Sequence, residues 1–343
     1  MALKTRICSL ALFCLVNGLS AQDFHFVNSF QSPSLFNPAA TGSGSAKRTQ
    51  VTSLYRGQWD NIGHQKAYQG IGIFADMRFC MQNSRKSYYA FGIGVQRDFS
   101  FLGGLSHSAG MLTAAYHQHL GGDRFLSAGV NVGGIGFGVH PGNLKFDAQY
   151  QNGNFDPSRS NGEDFLRESF VEGDIGAGVQ CYSNEAGWSL GASCQHLNKP
   201  AYSLFDNQNR LGIGMVVFGT YTLQPAPYAD YQWQFRGLYR RQSFLGSNSL
   251  QWQALLGSFF QLKTDQNIRW STGLYARTTS TSTQSLHLNA LIPAVQLSGE
   301  TYSLLLSYDV DLARTRTRFS GGVELLFSAS FGQADRCIVC ARF

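Results

Sequence analysis

The chain is short of charge. Only 14% of its 343 residues are Asp, Glu, Lys or Arg, against 43% hydrophobic and 13% aromatic. A disordered protein has the reverse balance, so that class is excluded. Beyond the N-terminus there is no run of roughly 18 or more apolar residues, which excludes a protein that crosses membranes by helices. Long Ala/Leu/Glu/Lys segments with a 3.6-residue period are almost absent, and with them goes a doubly wound α/β enzyme. The net charge of +6 contains no polybasic block, so nothing calls for nucleic acid. What remains is an all-β protein, rich in Gly, Phe and Tyr, with a mean hydropathy of −0.16.

Residues 1–21 stand apart from the fold. Lys4 and Arg6 precede the apolar stretch Ile7 to Val16, and Gly18, Leu19, Ser20 and Ala21 form a small-residue exit. This is the pattern of a secretory signal peptide, with the mature chain starting at Gln22. Neither Cys8 nor Cys14 precedes a plausible mature start, so no lipoprotein anchor is read. The mature cysteines are Cys80, Cys181, Cys194, Cys337 and Cys340. An odd number argues against a dense disulfide framework and leaves individual bridges open.

Along the mature chain, hydrophobicity alternates over ten or more residues at a time, longer than ordinary strands of about five or six. Tyr231, Trp233, Phe235, Gly237 and Tyr239 share one face, and Gln232, Gln234, Arg236, Leu238 and Arg240 the other. The last strand alternates Val323, Leu325, Phe327, Ala329 and Phe331 with Gly322, Glu324, Leu326, Ser328 and Ser330. A transmembrane strand needs an apolar face toward lipid and a polar or small face toward the lumen. A soluble sandwich would invert the assignment, so alternation alone does not decide. Aromatics near strand ends, at Tyr88, Tyr89, Trp188, Tyr228, Tyr231 and Trp270, fit the girdles of a membrane barrel, and the signal peptide supplies the route.

The spacing predicts an antiparallel transmembrane outer-membrane β-barrel of about fourteen strands. They fall at 47–59, 67–80, 86–99, 105–120, 124–139, 168–182, 186–198, 210–223, 229–242, 248–262, 267–279, 284–294, 300–310 and 317–331. The expected organisation is a signal peptide at 1–21, an N-terminal arm or plug at 22–46, a barrel at 47–331 and a periplasmic C-terminal tail at 332–343. With the N-terminus in the periplasm, tight turns near 121–123, 183–185 and 264–266 share the periplasmic side. The long loop 140–167 then falls outside the cell; its length marks it for function or disorder.

No grouping reads as catalysis, and no cofactor is expected. His117 and His119 share a strand face, but no Cys, Asp or Glu stands near in sequence to complete a zinc site. His107 and Ser108 are adjacent and so point to opposite faces. Gly133-Gly134-Ile135-Gly136-Phe137-Gly138 opens no helix, so it is no phosphate loop; glycine in such a strand marks a bulge or room for an aromatic. Cys337 and Cys340 have a two-residue spacing without a second pair, which favours a structural disulfide or separate thiols over redox chemistry.

Several segments, in order, resemble the PorP/SprF family of type IX secretion system outer-membrane proteins. They are Gln22-Asp23-Phe24-His25-Phe26, Ser32-Pro33-Ser34-Leu35-Phe36-Asn37-Pro38-Ala39-Ala40-Thr41-Gly42 and Tyr55-Arg56-Gly57-Gln58-Trp59. Further landmarks are Ala115-Tyr116-His117, Gln195-His196-Leu197-Asn198-Lys199-Pro200, Ser307-Tyr308-Asp309-Val310, Ser320-Gly321-Gly322-Val323-Glu324 and the ending Cys340-Ala341-Arg342-Phe343. Phe24, Gly57 and Ala341 depart from the family's usual Pro, Asn and Pro.

The resemblance implies a non-enzymatic component of type IX secretion in Bacteroidetes, of gliding or adhesin type. Its partners would be periplasmic ring lipoproteins of the machinery, a secreted client with a C-terminal sorting domain, or both, besides outer-membrane lipid. Candidates for partner contact are Asp23, Phe24, Phe26, Asn37, Pro38, Arg56, Trp59, Cys340, Arg342 and Phe343. The alternative is a porin-like channel or hydrophobic-ligand transporter. Arg236, Arg240 and Glu324 are inward candidates in either case.

Overall fold

The computed structural model describes residues 26–334, apart from positions 46 and 164 and segments 59–67, 81–86, 101–103, 205–208, 227–228, 246–249, 266–267, 281–285 and 313–320. Fourteen long strands follow one another: β1 Lys47–Gln58, β2 Tyr68–Cys80, β3 Tyr88–Ser100, β4 Leu105–Gly121, β5 Arg124–Val139, β6 Ser169–Ser183 and β7 Trp188–Gln195, then β8 Gly214–Leu223, β9 Tyr231–Leu245, β10 Leu250–Asp265, β11 Ile268–Ser280, β12 Leu286–Ser298, β13 Tyr302–Asp311 and β14 Gly321–Ala334. Each pairs antiparallel with its sequence neighbours, and β1 pairs with β14, so the sheet closes. Closure removes most of the sheet edges that would otherwise need covering; the start of β6, Ser169 to Gly176, extends beyond its ladder to β7.

Alternation sets which way each side chain points. On β9, Tyr231, Trp233, Phe235 and Tyr239 are exposed on the outer surface, while Gln234, Arg236 and Leu238 are buried inside. On β14, Val323, Leu325, Phe327 and Phe331 face out, and Glu324, Leu326 and Ser328 face in. An apolar outside around a polar and apolar inside is the arrangement of a membrane barrel. Among the described residues no helix is long and apolar enough to cross a membrane.

Most strand boundaries fall within a few residues of those expected, and the exceptions have local causes. β14 continues past Phe331 to Ala334 because Gly332, at φ +85°, forms a bulge: Thr49 pairs with Phe331, and Lys47 with Ala334. β7 stops at Gln195 rather than 198, since His196 and Lys199 adopt φ of +57° and +50° and turn the chain away. β12 runs through Pro293, which cannot donate to a ladder; its pairing to β13 passes from Leu291–Val310 to Ala294–Ser307 with no rung between. Tyr88 is not a girdle residue. It follows the inward alternation, is 1% exposed, and leaves the outer position to Tyr89. Tyr228 lies outside the described residues.

One rim carries the start of β1 and the end of β14, with the tight connections β4–β5 and β6–β7; it is called the terminal rim below. The distal rim carries the 140–167 segment. Its Leu144 to Tyr150 stretch does not extend as a strand. The 140–167 segment forms short 3-10 turns at Pro141–Asn143 and Asp147–Gln149 and a two-rung ladder between Tyr150–Gln151 and Asn154–Phe155. Cys80 is disulfide-bonded, its partner lying outside the described residues, and Cys181 and Cys194 are free. Cys337 and Cys340 also lie outside them.

Candidate functional site

The lumen is occupied by the chain's own N-terminal segment. Residues 26–43 run through the barrel as three short 3-10 turns, Val27–Gln31, Pro33–Leu35 and Pro38–Ala40, most of them buried. Proline opens the second and third, where its fixed φ suits a first helical position and its missing N–H costs nothing. Asn37 caps the third, its side chain accepting from the Ala39 N–H at 3.0 Å.

The first part of this arm is held by charge. The Glu324 carboxylate, on β14, accepts the backbone N–H groups of Val27 at 2.9 Å and Asn28 at 2.6 Å. Asn28 also donates to the Ser307 hydroxyl at 2.8 Å. Behind Glu324 stands a buried network: Arg56 lies 3.7 Å from Glu324 and 3.3 Å from Asp309, and Arg277 donates twice to Asp309 at 2.6 and 3.1 Å. Two guanidinium groups face two carboxylates, so the cluster is balanced. Removing either sign would leave an uncompensated charge away from water.

The second part is held by shape. Gly129 on β5 stands opposite Gly178 on β6, and together with Gly191 on β7 they leave a notch in the inner wall. Asn37-Pro38-Ala39 fills it. A methyl group added at Gly129 would lie 2.5 Å from the Pro38 carbonyl oxygen, and one at Gly178 would overlap the Asn37 side chain. Neutral hydrogen bonds complete the seat. Asn37 donates to the Val179 carbonyl at 3.0 Å, Ser127 to Ala39 O at 2.8 Å, and Ser193 to Phe36 O at 2.5 Å. The His117 ring lies between Thr41 O and the Tyr182 hydroxyl, 2.9 Å from each, and stacks on Tyr88 at 4.1 Å.

Phe30 and Phe36, between the two parts, and Phe26, just before them, fill the lumen with aromatic rings. Phe30 stacks on Tyr275 and meets Phe36 edge-on, Phe36 meets Phe218, and Phe26 belongs to the same buried cluster. Burying each ring contributes roughly 2 kcal/mol. Arg236 lies over Phe259 at 4.3 Å and donates to Gln234 and Tyr275, so this inward arginine is committed to the wall.

Four of the expected contact residues, Phe26, Asn37, Pro38 and Arg56, are therefore buried in the lumen and contact the chain's own wall. Asp23, Phe24, Trp59, Cys340, Arg342 and Phe343 lie outside the described residues. Sequence reasoning missed Arg277, the glycine notch and Asp76, whose carboxylate faces the Gly42 N–H at 3.5 Å. The available signal for the notch was three inward glycines on consecutive strands. Among the described residues no group of three His, Cys, Asp or Glu side chains is placed to hold a metal ion.

Comparison with known proteins places this architecture. The family model described as "Type IX secretion system membrane protein PorP/SprF" matches residues 19–329. The chain belongs to the PorP/SprF family. Family and barrel together make it an outer-membrane protein. No curated protein matches it. Among solved structures, the P. putida toluene transporter TodX is similar over 88% of this chain and 94% of its own, at 11% identity and a TM-score of 0.47. The Acinetobacter baumannii outer membrane protein Omp33 covers 83% of this chain and 98% of its own, at 5% identity and 0.41. Those likenesses are too distant to carry function to this PorP/SprF protein.

Proposed function

We propose that this PorP/SprF protein serves type IX secretion as a closed scaffold without catalysis, anchoring either a secreted surface client or the periplasmic ring components. The observation that carries the reading is the occupied lumen: residues 26–43 meet the wall on opposite sides, from β14 and β13 to β5, β6 and β7. A conduit for solutes needs that space, whereas a scaffold does not. In this reading residues 1–21 are a signal peptide, the terminal rim faces the periplasm, and the 140–167 loop faces outward, as tight turns and a long loop are disposed in bacterial barrels. Partner contact then belongs to the two rims: Asp23, Phe24 and the Cys340 to Phe343 tail inside, and the long loop outside. Clients of gliding or adhesin type in Bacteroidetes fit this role.

Deleting the gene is expected to abolish type IX export or to leave one surface client undisplayed, with small-solute uptake unchanged. Purified protein in liposomes should leave them osmotically tight. Normal secretion and display in the null strain, together with liposome swelling by the purified protein, would overturn the scaffold reading and favour a channel.

A further inference from the structure

The barrel is closed by sequence neighbours, but not along its whole height. β6 runs from Ser169 to Ser183, whereas its ladder to β7 begins at Ala177. Toward the distal rim, Ser169 to Gly176 has β5 on one side and no strand on the other among the described residues.

The direction of the unpaired backbone groups follows from the bonds present. Ile175 C=O accepts the Leu197 N–H at 2.9 Å, and Ile175 N–H donates to the Asn198 side chain at 3.1 Å. The same Asn198 side chain donates to Gly173 C=O at 2.6 Å. Odd-numbered residues of β6 thus present N–H and C=O to the open side, and a strand's period of two extends this to Val171 and Ser169. Asn198 acts as a surrogate rung, with its neighbours His196 and Lys199 at positive φ where β7 peels away. Beyond it, among the described residues, Val171 and Ser169 have no strand partner on this side, and the next position, Arg167, donates its N–H to Leu204 C=O at 3.3 Å. Val171 is 78% exposed, and a side chain added at Gly173 would meet nothing within 4 Å.

We propose that this edge docks an extended, alternately basic strand of a protein partner. Donors and acceptors repeating every second residue are matched in full by another extended backbone. The even-numbered face supplies the charge preference through Glu168, which is exposed, and Glu172, whose contact to Arg167 is long at 3.9 Å and half-exposed; Asp174, on the same face, is taken by His196 at 2.9 Å. A second copy of this chain does not fit. Two β6 edges paired antiparallel about Val171 would set Glu168 opposite Asp174, like charge against like. The inference borrows from the scaffold reading only that a protein partner exists.

The test uses the full mature chain in detergent and a short synthetic peptide alternating lysine with threonine and valine, followed by fluorescence anisotropy. Saturable binding is expected. Methylating alternate backbone nitrogens of the peptide removes its donors to the edge and should weaken binding about tenfold or more. Val171→Pro should do the same, since its N–H faces the open side and takes no part in the β5 ladder. Glu172→Gln should weaken binding by about threefold, and a peptide with glutamate for lysine should not bind. Equal binding of the methylated peptide, indifference to Val171→Pro in a heat-modifiable barrel, or no saturable binding of the lysine peptide would overturn the proposal. If Val171→Pro does not assemble, the methylated peptide on the unaltered chain decides alone. Loss of this edge with export intact would leave the scaffold reading standing.

Discussion

The two ends of the lumenal arm are held by different physics. Val27 and Asn28 sit on a buried carboxylate backed by an arginine, whereas Asn37 to Ala39 sit in a glycine notch with neutral hydrogen bonds. A charge anchor is strong when complete and costly when half removed, because the remaining ion stays desolvated. A shape anchor fails in the opposite direction, by addition of atoms rather than by their loss. The arm is thus fixed against both kinds of change by parts of the wall that lie on opposite sides of the barrel.

The comparison is broken hardest at Glu324. Glu324→Ala removes the acceptor for two backbone N–H groups and leaves Arg56 and Arg277 sharing Asp309. A loss of about 3 to 5 kcal/mol in unfolding free energy is expected from urea titration in detergent. Protease should then reach the arm near Phe26 while the Asn37 end stays protected. If the titration midpoint and the protection pattern both stay at wild type, charge does not hold that end.

Gly129→Val tests the shape anchor. Crowding the Pro38 carbonyl should cost about 1 to 3 kcal/mol and lift the second half of the arm. A Ser43→Cys reporter, buried in the intact barrel, would then react with a water-soluble maleimide. The same change at Gly173, where an added side chain meets open space, should leave the reporter protected. Equal labelling in both variants would mean the notch is not a seat.

The smallest effect is expected outside both anchors. In the β4–β5 turn, the Ser183 hydroxyl and the N–H groups of Ala186 and Glu185 hydrogen-bond to the Asp123 carboxylate and hold it below the usual carboxylate range. A depressed folded pKa contributes stability that is present above the unfolded value, about 3.9, and lost as pH falls through the folded one. The difference between wild type and Asp123→Asn should therefore be flat from pH 7 to 5 and disappear in acid. Solvent screening of this partly exposed group keeps it under about 0.5 kcal/mol. A larger gap, or one that grows in acid, would contradict the assignment, and arm labelling should not change at any pH.

Much of this architecture was legible in the chain because a strand between lipid and lumen must alternate. β4, β5 and β9 announce themselves through that rule, and Glu324 is readable as inward from its place between Val323 and Leu325. The arm was not legible in the same way. Its Phe26, Phe30 and Phe36 have no period, since its shape is dictated by the cavity rather than by its own ladder. Arg277 escaped notice because its meaning lies in Asp309, which is brought beside it across β12 and not by sequence proximity. Tyr88 shows the reverse error: two adjacent tyrosines look like one aromatic belt until alternation separates them.

The placement of Glu324 also dictates an order of assembly. Arg56 and Glu324 are directly opposed across the β1–β14 pairing, the last seam that a chain made from its N-terminus can close. The seat for Val27, 297 residues away in sequence from Glu324, does not exist until the first and last strands have met. Contacts of such separation are made late, after the entropy of closing the largest loop in the chain has been met. The Val27 end of the arm is therefore completed only when the first and last strands meet, whereas the notch that receives Asn37 to Ala39 is built by β5 to β7 and does not wait for that seam.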